Sequence, residues 1–266
     1  MLRSYLILNI RSMNDLPVME RWLLKEHAAD TMSQIGPVLE RYCSYRAVPH
    51  PPECDAYAPY NWRMTEHWWR ELPFAGSNLM DQKTLLSEVW PQDYNAILGM
   101  PGGAARGYGW GGRAEGPHPP VFAYCPARPT EDFFGKGRTL ADGHNLRWIQ
   151  AIRYPEGVSE AQGEDWFLNV HAKEVCRQPG LKRFVSYKTC PPPTSPFVRI
   201  NELWYENFDG WRQSILAAPP GYTAPAWTRH PAYPFLTPWV DFVSQFILEA
   251  PTDDFKHHLR PYVTTA

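Results

Sequence analysis

The sequence lacks metal-type cysteine pairs, an excess of charge of either sign, and any long apolar run. Its five cysteines include no Cys-x-x-Cys spacing, which argues against a disulfide framework and a structural zinc site. A net charge of -2 supplies no dense positive field for nucleic acid. The early apolar run at residues 5–8 is far too short to span a bilayer. We therefore expect a soluble, cytoplasmic protein that binds neither nucleic acid nor a membrane.

Metal and cofactor fingerprints are missing as well, whereas proline and tryptophan are abundant. The nine histidines form neither His-x3-His nor His-Glu-x2-His, and no flavin or nicotinamide motif occurs. The chain contains 28 prolines, which favour long ordered loops, and 12 tryptophans, which need large buried surfaces or an aromatic-lined cavity. We expect no metal and no organic cofactor.

The chain repeats itself once. Residues 20–36 and 164–180 align at an offset of 144 with Trp22/Trp166 and His27/His171 among several identities, where chance would give about one. Three further matches follow in the same order. They pair residues 41–46 with 183–188, 63–69 with 199–205, and 129–133 with 251–255. The sequence therefore predicts two units, residues 1–138 and residues 145–266.

Each unit has the same predicted pattern of strands and helices. β-branched and aromatic runs predict strands at 5–10, 41–48, 62–70 and 121–128, and at 148–154, 183–189, 198–206 and 242–249. Apolar residues at helical spacing predict helices at 15–34, 79–90, 159–178 and 208–217. The order βαββαβ indicates an α+β, ferredoxin-like unit with a four-stranded antiparallel sheet. Because the bare sheet face must be buried, we expect the tandem units to pack sheet to sheet as an intrachain dimeric α/β barrel.

Motifs in the second half resemble a known family. The segments EDWFLNVH at 164–171, QPGLKRF at 178–184, RINELWY at 199–205 and PTDDF at 251–255 are similar to the EthD-like branch of the dimeric α/β barrel superfamily, here as a tandem fusion. The resemblance covers nearly all of the second half and, more weakly, the first. It implies a ligand cavity between helices and sheet. Relatives include cofactor-free monooxygenases, polyketide cyclases, lactone isomerases and lyases, and haem enzymes such as tandem chlorite dismutases, so function must be argued from the site.

His27 and His171 are the first catalytic candidates. Each lies five residues after a tryptophan, in the middle of the first predicted helix of its unit. Imidazole titrates near neutral pH and can act as a general acid or base. The alternative is that each histidine fixes its helix to the sheet by a hydrogen bond.

Strand residues supply the candidates for binding the substrate. Arg63 and Arg199 precede Glu66 and Glu202 by three positions, so arginine and glutamate point to opposite strand faces. An inward arginine would anchor a carboxylate, whereas the alternative is an inter-sheet ion pair. Two further groups could serve the site or only pack the core. They are the potential oxyanion donors Tyr45 and Tyr187, and the potential cavity walls Trp22, Trp68, Trp69, Trp166 and Trp204.

Two insertions distinguish the copies. A Gly-rich segment at 99–118 interrupts the first unit and could form a lid over one cavity. A Pro-rich segment at 219–233 interrupts the second unit, and its Trp227, Arg229, His230 and Tyr233 could enter a site. Because the second unit keeps the family pattern more completely, we favour it as the location of the active cavity.

These features together indicate a cofactor-independent enzyme. Without a cofactor the substrate must carry its own electron sink, as phenols and conjugated acids do. We expect a lyase of aromatic compound catabolism, preferably a decarboxylase, that holds a carboxylate or phenol by arginine and moves a proton by histidine or tyrosine. The alternatives are a cofactor-free isomerase or cyclase, a haem-dependent oxidoreductase or dehydratase with His171 as axial ligand, and a non-enzymatic binding protein. A homodimer is possible.

Overall fold

The computed structural model describes residues 1–10, 12–70, 120–136, 145–190 and 196–258. Three features predicted from the sequence lie outside these residues: the helix at 79–90, the Gly-rich insertion at 99–118 and the junction between the units at 139–144. What is described forms two five-stranded antiparallel sheets with helices on their outer faces. The expected α+β fold class is confirmed.

The first sheet has the strand order β10-β2-β3-β1-β4. Its strands are β1 (Leu2–Leu8), β2 (Leu39–Arg46), β3 (Arg63–Trp69), β4 (Val121–Pro126) and β10 (Asp253–Asp254). The central strand pair aligns Ser4 with His67 and Arg3 with Trp68. This register places Ser4 and His67 together on one sheet face and Arg3 and Trp68 together on the other.

The second sheet repeats this arrangement in the order β5-β7-β8-β6-β9. Its strands are β5 (Glu131–Phe134), β6 (Leu146–Ile152), β7 (Leu181–Lys188), β8 (Arg199–Tyr205) and β9 (Phe242–Leu248). The register of β6 on β8 aligns Trp148 with Leu203, at the positions that Ser4 and His67 occupy in the first sheet.

The fifth strand of each sheet comes from the opposite half of the chain. β5 lies at the end of the first half of the chain but pairs with β7, and β10 lies near the end of the second half but pairs with β2. A four-stranded sheet would leave the outer edges of β2 and β7 unpaired, and an unpaired edge invites pairing with another chain. The exchange covers both edges and ties the two halves together.

Helical segments cover the outer faces of the sheets. In the first unit the helix comprises α1 (Leu16–Trp22), a π-helical segment (Leu23–His27) and α2 (Ala28–Ile35). The second unit has α3 (Glu160–Trp166), a π-helical segment (Phe167–His171) and α4 (Ala172–Val175), then α5 (Phe208–Arg212) continued by a third π-helical segment (Gln213–Ala217). A capping box of Ser159 and Gln162 fixes the start of α3. A short α6 (Phe255–His258) follows β10.

The two sheets pack against each other through a shared core. Tyr5, Met64 and Ala123 from the first sheet meet Ile149, Ile200 and Ile247 from the second in one buried cluster. Backbone hydrogen bonds also cross the seam, from Tyr60 to Ser244 at 2.7 Å and from Val48 to Phe246 at 2.8 Å. This is the sheet-to-sheet packing expected of a dimeric α/β barrel made within one chain.

All five cysteines are free, and three of them are buried. Among the described helices, none has both the length and the apolar character needed to cross a membrane.

Candidate active site

Each first helix holds a tryptophan against a histidine through its π-helical segment. Trp22 stacks on His27 with ring centroids 4.6 Å apart, and Trp166 lies 4.7 Å from His171. In a regular α-helix, residues five apart point about 140° away from each other, since each residue turns the chain by about 100°. The wider π turn brings positions i and i+5 back to nearly the same face. Both histidines therefore point toward the sheet.

A polar cluster lies between the first helix of the first unit and the first sheet. We call it the first-unit cluster, and it consists of Ser4, His27, Tyr42, His67 and Trp69. Ser4 Oγ is 3.2 Å from His67 Nδ1, and Trp69 Nε1 donates a hydrogen bond of 3.1 Å to Ser4 Oγ. The Tyr42 ring lies 4.6 Å from the His67 ring. All five side chains are buried, with His27 at 6% and His67 at 7% exposure.

Burial keeps both histidines of the first-unit cluster neutral. Burial, together with a smaller effect of the nearby His67, lowers the pKa of His27 to about 3. Burial also lowers the pKa of His67 to about 4. At neutral pH each ring therefore carries one N–H donor and one acceptor nitrogen. Two such rings close together can receive a proton and pass one on.

Larger, mainly apolar side chains fill the matching space of the second unit. Trp148 occupies the position of Ser4, and Leu203 that of His67. Trp148 packs 5.6 Å from Phe246, 5.8 Å from Trp211 and 5.5 Å from Tyr57, which reaches in from the first half of the chain. The paired histidines and the serine thus belong to the first unit, whereas the sequence favoured the second.

His171 is enclosed by aromatic rings, and burial lowers its pKa to about 3. Besides Trp166, its ring lies 5.6 Å from Phe167 and 5.7 Å from Tyr233. Tyr233 comes from the Pro-rich insertion, and so does Trp227, which lies edge-on to Trp166 at 5.3 Å. The insertion therefore packs its aromatic residues onto this helix.

The polar residues of the same insertion lie elsewhere. The His230 ring nitrogen Nδ1 is 3.0 Å from the Ala232 carbonyl within its own loop, and Arg229 is exposed. Neither residue is brought to His171.

Arg63 and Arg199 face the helices and are engaged in ion pairs. Arg63 binds Glu20 of α1 at 2.6 Å and Asp253 of β10 at 2.7 Å. Arg199 binds Glu164 of α3 at 2.6 Å and also Glu131 of β5. Burial opposes ionisation of Glu20 and Glu164, but hydrogen bonds from these arginines dominate and lower the pKa of both carboxyl groups.

The contacts of Arg63 and Arg199 fit structural ion pairs more closely than anchors for a substrate carboxylate. The ion pairs join helix to sheet and strand to strand. In each guanidinium, one carboxylate binds Nε and Nη2 and the other binds Nη1.

The opposite strand face holds a second charge network in the seam between the sheets. Glu66 and Glu202 meet Arg3 and Arg147 there, with Arg147 2.9 Å from Glu202 and Arg3 3.1 Å from the same carboxylate. Four predicted site residues surround this network. Tyr45 donates to Glu66 at 3.3 Å, Tyr187 accepts from Arg3 at 3.0 Å, and Trp68 and Trp204 each donate to the glutamate of their own unit at 3.4 Å.

Sequence reasoning missed several residues that organise these two places. Arg3 and Arg147 match at the repeat offset of 144, so the alignment contained a signal for them. Ser4 and His67 have no such signal, because their counterparts Trp148 and Leu203 are unrelated in chemistry. His67 differs from its counterpart Leu203, although Arg63, Glu66 and Trp68 around it are identical in the aligned segment of the second half.

The histidine environment does not fit haem. An axial ligand needs an open slot for the porphyrin beside a ring nitrogen. His171, the candidate named from the sequence, is 4% exposed among Trp166, Phe167 and Tyr233. In the described part of the chain, no three His, Cys, Asp or Glu side chains are grouped to hold a metal ion.

Comparison with protein families gives one match. The family described as the chalcone isomerase N-terminal domain matches residues 1–103, which is less than half of the chain. That span contains all five members of the first-unit cluster. No curated protein sequence matches this chain.

Solved structures give distant similarities. An EthD family protein from Bacillus halodurans is 20% identical over 27% of this chain and 72% of its own, with a TM-score of 0.24. An anthrone oxidase-like protein is 12% identical over 82% of this chain and 78% of its own, with a TM-score of 0.44. A chlorite dismutase variant from Candidatus Nitrospira defluvii is 11% identical over 97% and 94%, with a TM-score of 0.43. Similarities this low support no inference about function.

Proposed function

We propose that the protein is a cofactor-independent isomerase that closes a hydroxylated α,β-unsaturated ketone of the chalcone type in its first unit. The first-unit cluster carries this proposal, because it places two neutral, buried histidines near each other, each against an aromatic ring. The family match over residues 1–103 supports the same unit and the same class of reaction. This is the isomerase or cyclase alternative that the sequence left open.

The reaction needs only groups that the chain provides. The phenol oxygen of the substrate bonds to the β-carbon, the C=C electron pair moves onto the carbonyl as an enolate, and the phenol proton ends on the α-carbon. In the proposed mechanism, His27 accepts the phenol proton and returns it to carbon. Burial disfavours the charged imidazolium of His27, so a proton that His27 takes up during attack of the phenol oxygen is readily returned to carbon. The rings of Trp22, Tyr42 and Trp69 beside the two histidines suit a flat conjugated substrate and keep water away.

A decarboxylase fits the structure less well. That mechanism requires an arginine free to hold the carboxylate of the substrate. Arg63 and Arg199, the anchors expected from the sequence, are each saturated by two carboxylates. Ring closure of a neutral enone needs no such anchor.

Ring closure can be followed directly, because the conjugated enone loses its long-wavelength absorbance when the ring forms. We expect the protein to accelerate this loss for at least one hydroxychalcone in a small panel. His27→Gln should lower kcat by about 10²- to 10⁴-fold, the usual contribution of one acid–base group. Circular dichroism should show that this variant stays folded.

His171→Gln is the matched control, since it changes the equivalent histidine of the second unit. We expect it to keep kcat within a few-fold of the unchanged protein. If hydroxychalcones bind but none is turned over, the protein is a binding protein and the proposal fails. If His171→Gln removes the activity and His27→Gln does not, the active cavity lies in the second unit.

A further inference from the structure

We infer that Ser4, itself held by a hydrogen bond from Trp69, is a positioning residue that keeps His67 in its Nε2–H tautomer, so that His67 offers a hydrogen-bond donor to the carbonyl oxygen of the substrate. The catalytic part of this inference rests on the proposed function. The tautomer itself does not, because it follows from the hydrogen bonds of the first-unit cluster alone.

The direction of the hydrogen bonds follows from the chemistry of the three groups. Tryptophan Nε1 can only donate, so Ser4 Oγ accepts from Trp69 at 3.1 Å. The Ser4 hydroxyl proton then needs an acceptor, and the contact that the structure gives it is His67 Nδ1 at 3.2 Å. Ser4 is fully buried, so bulk water cannot take the proton instead. Nδ1 therefore accepts, and the ring proton is placed on Nε2.

The opposite tautomer would be costly in this environment. If His67 Nδ1 carried the proton, Ser4 Oγ would accept twice and its own hydroxyl proton would be left buried without an acceptor among the described residues. An unsatisfied buried donor costs about 1–3 kcal/mol. That penalty is enough to keep one tautomer strongly dominant.

A fixed Nε2–H suits the chemistry of the proposed ring closure. Negative charge develops on the substrate carbonyl oxygen as the enolate forms, and a donor placed there in advance stabilises it. Burial lowers the pKa of His67 to about 4, so the ring stays neutral at working pH and donates without becoming charged. His27 then moves the proton while His67 holds the oxygen.

The second unit lacks the hydrogen-bond chain from Trp69 through Ser4 to His67, which supports a specialised role for this chain in the first unit. Its equivalent positions carry Trp148 for Ser4, Leu203 for His67 and Tyr205 for Trp69, so all three members differ. A hydrogen-bond chain that was needed only for folding would be expected in both copies of the repeat.

The test is nitrogen NMR of histidine-labelled protein at neutral pH, with His67 assigned by comparison with His67→Gln. We expect His67 Nδ1 to show the shift of an unprotonated nitrogen and Nε2 that of a protonated one. In Trp69→Phe the Ser4 hydroxyl proton still has His67 Nδ1 as the acceptor that the structure gives it, so Nε2–H should remain the dominant form. Ser4→Ala removes that donor and should mix the tautomers, and Ser4→Thr, which keeps the hydroxyl, should restore the original spectrum.

Activity measurements separate the claim about the His67 tautomer from the claim about its role in ring closure. Ser4→Ala should lower kcat by about tenfold or more with little change in KM, because the lost interaction belongs to the transition state. An Nδ1–H tautomer in the unchanged protein would overturn the inference, whatever the activity. An Nε2–H tautomer in a protein that turns over no hydroxychalcone would leave the positioning by Ser4 intact and overturn the proposed function. If Ser4→Ala does not fold, the spectrum of the unchanged protein still decides, because an Nδ1–H form there overturns the inference.

Discussion

At the scale of single residues, Arg199 shows how a side chain typical of a substrate anchor serves the scaffold. It is 1% exposed and lies between Glu164 and Glu131. Removing one partner of a buried ion pair leaves uncompensated charge, which costs about 3–5 kcal/mol. We therefore expect Arg199→Ala to lower the free energy of unfolding by that amount, measured by urea denaturation.

Arg70→Ala is the control for this change. Arg70 pairs with Glu40 at 3.2 Å, and both side chains are about half exposed. Exposed pairs contribute about 0–1 kcal/mol. If Arg199→Ala proves as mild as Arg70→Ala but abolishes substrate binding, Arg199 is an anchor after all.

At the scale of elements, the π-helical segment of the first helix aligns His27 with Trp22. Deleting Leu24, which is 37% exposed, should convert this segment to a regular α-helix with Trp22 and His27 four residues apart. Residues four apart share a helix face, so the stacking should survive. We expect the deletion to keep the activity and to change the free energy of unfolding by no more than about 1 kcal/mol.

Inserting one alanine after Leu24 should have the opposite effect. The insertion turns His27 about 100° away from Trp22 and should abolish ring closure while the protein still folds. The same insertion after Leu168, the matching position of the second unit, should leave the rate unchanged. If both insertions are silent, the orientation of His27 has no bearing on catalysis.

The same segment shows what the sequence could and could not predict. The repeat and the strand pattern predicted the first helix of each unit, the helix at 208–217 and all eight strands of the four-stranded units. The ends differ by only a few residues, as in 41–48 against Leu39–Arg46. The Trp–His stack was hidden, since a five-residue spacing looks like two different faces of an α-helix. The exchanged strands β5 and β10 were hidden because they are short and pair across the halves of the chain.

At the scale of the whole molecule, the two halves are joined by more than the seam core. We propose that the chain divides near residues 139–144 into units 1–138 and 145–266 that exchange β5 and β10. Charged contacts follow the exchange, since Arg63 reaches Asp253 of β10 at 2.7 Å and Arg199 reaches Glu131 of β5. In the seam, Arg3 and Tyr5 of the first half both contact Glu202 of the second, at 3.1 and 2.6 Å. Unfolding should therefore be a single transition.

Three histidines that are buried in the described part of the chain should make this single transition sensitive to mild acid. Burial lowers the pKa of His27 and His171 to about 3 and that of His67 to about 4, against about 6.5 in the unfolded chain. Between these values the unfolded state binds up to three more protons than the folded state, so stability is full above about pH 6.5 and falls as the pH decreases. We expect the free energy of unfolding to drop by roughly 4–6 kcal/mol between pH 7.5 and 5.

Replacing one histidine tests the origin of this slope. His171→Phe keeps an aromatic ring beside Phe167 and Tyr233 but removes one proton from the unfolded-state balance. The pH dependence of its unfolding free energy between pH 6 and 5 should therefore be about one third shallower than that of the unchanged protein. Buried carboxylates such as Glu202, whose pKa is lowered to about 2 by Arg147 and Arg3 against the effect of burial, add their own dependence only below about pH 4.5. Equal slopes for the two proteins above that pH would show that His171 is not protonated on unfolding, and the acid sensitivity would then have another source.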